Sequence, residues 1–384
     1  MPEVPSGGTE HLISEIGLIS ADSHVNEPRD LWKANLPPSL RSQAMEGIQS
    51  GEDGSWNIVF EGQHVYKRDM QEEVDRLAVL DPEKRFEVLR SEGIVAEAIF
   101  PTIGLYVWRL HEPKGGEASC KVYNDWIYET LQRKSARFCC AGLIPTWVPS
   151  QAVPEIERIA EIGLRAVMLP SHLDKEQGPA WNHRVWDRMW DAIDATGLPV
   201  VFHQGTGFDT ITYRGPGATV ANLVTAETMG PRVATLLATS GLFERHPNLH
   251  VVFVEFNIGW LAWVEELMDY YDRVFREYDY IHRERRPKPT VYPDLVHPPA
   301  WYVQRQCHAT FQLDYIGMRN VPMSGDYSLM WGHDYPHEEG TFPNSRKLVD
   351  EQAALVSPEQ ARRIFRENAL EVFGFDRAVI DQPF

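Results

Sequence analysis

Short apolar runs alternate with amphipathic segments along nearly the whole chain, and this alternation limits the fold more than any other feature of the sequence. Strand-like runs occur at residues 13–21, 96–101, 138–145, 165–170, 198–203, 249–255, 307–312 and 329–332. Between them, apolar residues recur at helical spacing over 81–91, 121–135, 154–162, 184–196, 233–239 and 260–276. Ile156, Ile159, Ala160 and Ile162 form one such stripe, and Val185, Met189, Ala192 and Ile193 another, which Gly197 ends. Ser357, Pro358 and Gln360 spell the capping box of a last helix. Eight strands separated by helices predict a (β/α)8 TIM barrel, with its active site at the C-terminal strand ends. An open doubly wound sheet would need a glycine-rich first turn, and none follows the first run. A barrel with insertions accounts for 384 residues as a single domain over residues 15–375.

The runs end in side chains of one chemical kind. Asp22 and His24 follow the first, and residues two apart in an extended segment point the same way. His203 ends the fifth, Glu255 the sixth, and His333, Asp334 and His337 follow the eighth. A histidine after one strand is ordinarily a turn residue. Four strand ends carrying imidazole or carboxylate groups instead suggest a shared divalent-metal or acid–base site.

Three stretches break the alternation. Residues 50–67 read as an inserted β-hairpin, with Trp56, Ile58 and Phe60 on one face, then Gly62, then Val65 and Tyr66. Residues 208–232 are rich in glycine and threonine and read as a long loop over the site. Residues 278–302 carry Pro287, Pro289, Pro293, Pro298 and Pro299 among basic and aromatic residues. Loops of this length usually serve as lids, walls or subunit contacts. The last insertion therefore suggests a homo-oligomer, most simply a homodimer.

Composition narrows the partners. A net charge of −18 opposes nucleic-acid binding, which needs a basic face, and also opposes docking to an anionic membrane. No apolar run reaches the roughly eighteen residues of a membrane span. The N-terminal residues lack the basic and apolar regions of a signal peptide. Cys120, Cys139, Cys140 and Cys307 form no CxxC pair and read as reduced thiols of a cytoplasmic protein. The expected partner is a small molecule.

Residues 20–28 (SADSHVNEP), 332–337 (GHDYPH) and 363–374 (RIFRENALEVFG) are similar to the amidohydrolase superfamily. More narrowly they resemble its amidohydrolase-related branch, which contains aminocarboxymuconate-semialdehyde decarboxylase, aromatic-acid decarboxylases and some hydrolases. The resemblance implies that Asp22, His24, His203 and Asp334 bind one metal ion. Two departures stand out. The branch's decarboxylases have a histidine at the end of strand six, where this chain has Glu255. Binuclear members use a lysine at the end of strand four, where this chain has Pro170, Ser171 and His172, so one ion is expected.

Two imidazoles and two carboxylates suit zinc, the first expectation, or manganese. Such an ion lowers the pKa of bound water toward about 7. Glu255, Asp334 and His337 are the candidate proton-transfer groups. Arg214 is the candidate carboxylate anchor, with Tyr213, His172 and Trp260 lining the substrate, and Tyr106, Trp108, Phe208, Trp301 and Trp331 are further aromatics near strand ends. The leading expectation is a mononuclear hydrolase using metal-activated water on a small aromatic or cyclic carboxylate. The alternative is metal-dependent non-oxidative decarboxylation of an aromatic or related acid. A third reading is an inactive barrel used for binding.

Overall fold

The apolar runs become eight parallel strands buried on both faces. They are β1 (Leu18–Ser20), β2 (Ile94–Pro101), β3 (Phe138–Leu143), β4 (Ala166–Pro170), β5 (Val200–His203), β6 (Val251–Val254), β7 (Cys307–Phe311) and β8 (Leu329–Trp331). The computed structural model describes residues 16–28, 30–50, 55–60, 63–69, 80–173, 178–207, 213–282 and 295–383. Each strand pairs in parallel with the next in chain order. Between β5 and β6 the register sets Val200 beside Val251, Val201 beside Val252 and Phe202 beside Phe253. The ring closes where Ala21 N donates to Trp331 O at 2.8 Å and Ser23 bridges Tyr335. The result is a (β/α)8 barrel, as the alternation predicted.

β-Branched and aromatic residues favour these strands because both faces are covered. Val167, Val200, Val252 and Phe253 are fully buried, and the Phe202 and Phe253 rings stack with centroids 5.9 Å apart. A side chain of this size contributes about 1.5–3 kcal/mol when removed from water. All four cysteines are buried and free.

The last helical segment braces the closure. Between Pro358–Arg362 and Asn368–Val372 the backbone widens into a π turn at Arg363–Glu367. A π turn shifts the side chains that follow it to a new face. Here Asn368 Nδ2 donates to Leu329 O at 2.8 Å and Arg366 Nη1 to Gly17 O at 2.6 Å, so one segment grips the starts of β8 and β1. The Ser357 capping box is present.

Three expectations need adjustment. The hairpin at 50–67 is present as Ser55–Phe60 paired with Gln63–Asp69, but a third antiparallel strand, Met45–Ser50, joins it. MEGIQS carries little alternation, so this strand left no pattern to read; residues 51–54 and 61–62 lie outside the described residues. The stretch 208–232 is not a continuous loop: Ala218–Ala226 is helical and a further helix, Met229–Thr239, begins within it. ATVANLVTA carries no charged residue, and its stripe of Val220, Leu223 and Val224 is too short to stand out beside the surrounding glycines and threonines. The stretch 278–302 is helical at both ends, because Leu261–His282 continues until proline approaches and Pro299–Gln306 begins with one. Residues 208–212 and 283–294, with Phe208, Pro287, Pro289 and Pro293, lie outside the described residues.

Candidate metal centre and active site

His24 and His203 meet at the barrel mouth with their Nε2 atoms 3.0 Å apart. Each ring is oriented by a carbonyl. His24 Nδ1 lies 2.8 Å from Pro101 O, and His203 Nδ1 lies 2.8 Å from Gln204 O. A carbonyl only accepts, so each Nδ1 carries a hydrogen, and in the neutral imidazole each Nε2 presents a lone pair. Two lone pairs at this distance repel unless a cation lies between them. Asp22 Oδ1 stands 3.5 Å from His24 Nε2 and 3.6 Å from His203 Nε2, and Asp334 Oδ1 stands 3.4 Å from His24 Nε2. Donors about 2.1 Å from one ion lie roughly 3.0–3.4 Å from each other in octahedral or tetrahedral arrangements, which these separations approach.

The carboxylates point the same way. Asp22 Oδ1 and both Asp334 oxygens are buried with no hydrogen bond among the described residues, although His337 Nδ1 is 3.1 Å from Asp334 Oδ1. Buried carboxylate oxygens are normally satisfied, so these suit a cation. Burial pushes Asp334 well above the usual carboxylate range, and the Asp22 charge adds to it. Burial opposes charge on Asp22 too, but His203 and His24 outweigh it and hold that carboxyl below its usual range. Burial, with His337 adding to it, lowers His24 to about 3. Asp22, His24 and His203 bring donor atoms close enough to fit one divalent ion, and Asp334 adjoins them through His24, with which it and His337 form a neighbouring set.

Backbone shape delivers these groups. Glu255, Asn257 and Asp334 have φ of 66°, 57° and 52°, a left-handed conformation uncommon outside glycine and frequent at functional sites. Gly332 lets β8 pass against β1, since a Cβ there would lie 2.3 Å from Asp22 Cβ.

Glu255 stands beside the donors, its Oε2 3.7 Å from His203 Nδ1, with its side chain 16% exposed. Burial and then the Asp334 charge push its carboxyl well above the usual range, with His203 opposing them. His337 packs its ring 4.0 Å from that of His24, and its Nε2 is 3.1 Å from Thr102 Oγ1. His333 turns away into the barrel, with Nδ1 2.7 Å from Ser20 Oγ, and burial holds it down at about 4. Of the two histidines flanking Asp334, then, His337 joins the cluster and His333 braces it from beneath.

The substrate-binding candidates divide. His172 and Trp260 are half-buried after β4 and β6, and Trp260 Nε1 donates to Asn257 O at 2.9 Å. Tyr213 and Arg214 are exposed, and the Tyr213 backbone exchanges hydrogen bonds with Asn222. Trp108 and Trp331 are core residues, and Tyr106 is half-buried. Trp301 lies in the helix leading into β7, at the opposite end of the barrel from the donors.

Sequence reasoning missed the layer beneath the donors. Arg85 donates from Nη1 to His24 O at 2.8 Å and from Nη2 to Ser23 Oγ at 3.0 Å, and it grips Glu97 with Nε and Nη2. Both residues are buried. A lone glutamate inside the apolar run IVAEAIF was the available signal. Arg85→Met is expected to destabilise the fold by about 3–5 kcal/mol, because it strands the Glu97 charge. It is also expected to weaken metal binding about 10- to 100-fold. Adding Glu97→Leu should restore thermal stability without restoring affinity. Equal recovery of both, measured by melting and metal titration, would show a purely structural pair.

Glu27 is the other buried acid near the mouth, accepting from Ile103 N at 2.9 Å and Gly104 N at 2.8 Å. Burial raises its carboxyl from 4.5 to about 7 against those donors. The folded state therefore binds this proton more tightly than the unfolded chain does. The stability it contributes is full below pH 4.5 and lost as pH rises through about 7. Up to about 3 kcal/mol should disappear across that window, and Glu27→Gln should remove this dependence. Urea unfolding at several pH values checks it; parallel pH profiles for wild type and variant would contradict it.

The barrel and its mouth define a metal-dependent enzyme of the amidohydrolase type. The chain belongs to the amidohydrolase family, whose model, described as Amidohydrolase, matches residues 21–375. An amidohydrolase structure from Mycobacterium avium subsp. paratuberculosis superposes with a TM-score of 0.74 at 18% identity, covering 95% of this chain and 99% of that one. A 5-carboxyvanillate decarboxylase from Novosphingobium aromaticivorans, bound to manganese and 3-methoxy-4-hydroxy-5-nitrobenzoic acid, gives 0.68 at 17% identity, covering 97% and 100%. The 5-carboxyvanillate decarboxylase of Sphingomonas paucimobilis gives 0.66 at 18%, covering 94% and 100%. Among curated proteins, a putative ABC transporter ATP-binding protein from Bacillus cereus is 27% identical over 159 residues, 39% of this chain. The match spans 26% of that protein's length. Among the described residues no helix is long and apolar enough to cross a membrane.

Proposed function

We propose that the protein is a mononuclear, divalent-metal-dependent decarboxylase of a small aromatic carboxylic acid. The observation that carries the metal assignment is the pair of opposed Nε2 lone pairs, completed by Asp22 and Asp334. Structural neighbours described as decarboxylases favour this reaction over the hydrolysis that led from sequence. They also favour manganese over zinc, since manganese is the ion named with them.

A divalent ion held by Asp22, His24, His203 and Asp334 would supply Lewis-acid polarisation of substrate oxygens. The chain's own residues do the rest. Glu255, whose carboxyl burial and then the Asp334 charge push above the usual range, is suited to giving a proton from Oε2 to the ring carbon. The bond between ring carbon and carboxylate breaks, its electron pair stays on the ring, the proton takes the vacated position, and carbon dioxide leaves. His172 and Trp260, half-buried after β4 and β6, are the residues suited to border the ring. Hydrolysis remains the second reading because Glu255 stands where decarboxylases of the branch have histidine.

Incubation of manganese-loaded enzyme with 5-carboxyvanillate and 2,6-dihydroxybenzoate in deuterium oxide tests the assignment. Carbon dioxide released in step with a single ring deuterium supports it. Uptake of labelled oxygen from water without carbon dioxide, on any substrate turned over, would replace it with hydrolysis.

A further inference from the structure

A cavity of about 460 Å³ opens at the end of the barrel opposite the donors, walled in part by His250, Trp301, Gln304, Arg305 and Tyr327. These residues come shortly before β6, β7 and β8. Two imidazoles in series form its inner wall. His308 is fully buried, and its Nδ1 lies 3.3 Å from Tyr327 O, to which it donates. Burial, with His250 adding to it, lowers the His308 pKa to about 3, so its Nε2 is a bare acceptor. His250 Nδ1, 3.0 Å away, therefore donates to it. Unlike the facing lone pairs at the mouth, this contact is an ordinary hydrogen bond. Burial and then the Arg305 charge also hold His250 below the usual range. Uncharged, with its hydrogen committed at Nδ1, His250 keeps a lone pair at Nε2 for whatever enters the cavity.

Arg305 supplies the complementary charge. It is exposed, and its Cζ rests 5.4 Å from the Trp301 ring centroid. Among the described residues no carboxylate lines the cavity. The acids nearby are engaged: Glu265 Oε2 accepts from Gln304 at 2.8 Å, and Asp326 Oδ1 lies 3.4 Å from Arg363 Nε. Glu371 acts on Tyr327, where Arg305 and Arg363 oppose it. In a chain of net charge −18, a cavity lined by an arginine and no acid is a local exception that favours an anion.

We infer that this cavity binds a hydroxylated aromatic carboxylate, with its carboxylate on the Arg305 guanidinium and its hydroxyl donating to His250 Nε2. The guanidinium fork matches a carboxylate. The imidazole lone pair requires a donor and repels a second anionic group, which disfavours phosphate. The volume is that of a small-molecule site rather than of an inorganic ion, and Trp301 and Tyr327 offer aromatic walls to a ring. The site lies across the barrel from the metal donors and does not rest on which reaction the mouth performs.

Hydrogen exchange of the manganese-loaded protein, titrated with 3- and 4-hydroxybenzoate, tests the inference. Amides of residues 247–252, 301–306 and 326–329 should gain saturable protection. Phenol, which lacks the carboxylate, should bind there about 10- to 100-fold more weakly, and benzoate, which lacks the hydroxyl, about 3- to 10-fold more weakly. Arg305→Gln should weaken the hydroxybenzoates about 10- to 100-fold, with an unchanged circular dichroism spectrum because Arg305 is exposed. Should that variant misfold, the comparison with phenol on the wild type decides. Protection confined to the mouth, protection unchanged in the folded variant, or phenol binding as tightly as the hydroxybenzoates overturns the inference.

Discussion

His203→Ala is expected to strip most of the bound ion while leaving the barrel folded. The residue ends β5, and its ring contributes one of the two opposed Nε2 lone pairs. Losing an outer hydrogen-bond partner of a ligand typically costs 10- to 100-fold in metal affinity. Losing the ligand itself should exceed that, so a weakening beyond about 100-fold is expected. Mass-spectrometric metal content and a competition titration measure it. The β5–β6 ladder is made by main-chain groups and should survive, so the circular dichroism spectrum is a direct control. Wild-type metal content in this variant would remove His203 from the donor set. It would also leave the opposed lone pairs without a cation to explain them.

Glu255→Gln is expected to lower kcat by about 10²-fold or more with metal content unchanged, the usual cost of losing a general acid or base. Glutamine keeps the shape and loses the transferable proton. Two other outcomes carry different meanings. Weaker metal binding, partly rescued by excess ion, would make Glu255 a fifth ligand, consistent with its lying in a second cluster with Asp334 and Glu339. Activity within a few-fold of wild type would make it structural, and hydrolysis would lose its main support from sequence. The left-handed backbone at Glu255 argues against a purely structural role, because a strained position of this kind costs about 1–3 kcal/mol unless something else holds it.

The residues differ in how much of their role could be read before folding. Asp22 and His24 were legible because a period of two in an extended segment puts both on one side, and they do meet. His203, Glu255 and Asp334 were legible because each follows a buried run, and parallel strands of a barrel deliver their ends to one mouth. The helix Ala218–Ala226 was not legible, because nine uncharged residues amid glycines and threonines give too short a stripe for periodicity to report. Nor was the split between His333 and His337: four residues apart after β8, one turns inward to Ser20 and the other stacks on His24.

What the sequence by itself determined is therefore local and periodic: the order of strands and helices, the barrel they make, and the identity of the residues at the strand ends. Those follow from which side chains avoid water and at what spacing. Only the tertiary structure decided what those ends do to one another. Arg85 and Glu97 lie twelve positions apart on different elements, and their clamp on the His24 carbonyl exists only after packing. The two histidine tautomers depend on carbonyls of Pro101 and Gln204, one of them 77 residues from its ring. Protonation, lone-pair direction and burial are set by neighbours distant in the chain, and periodicity carries no record of them.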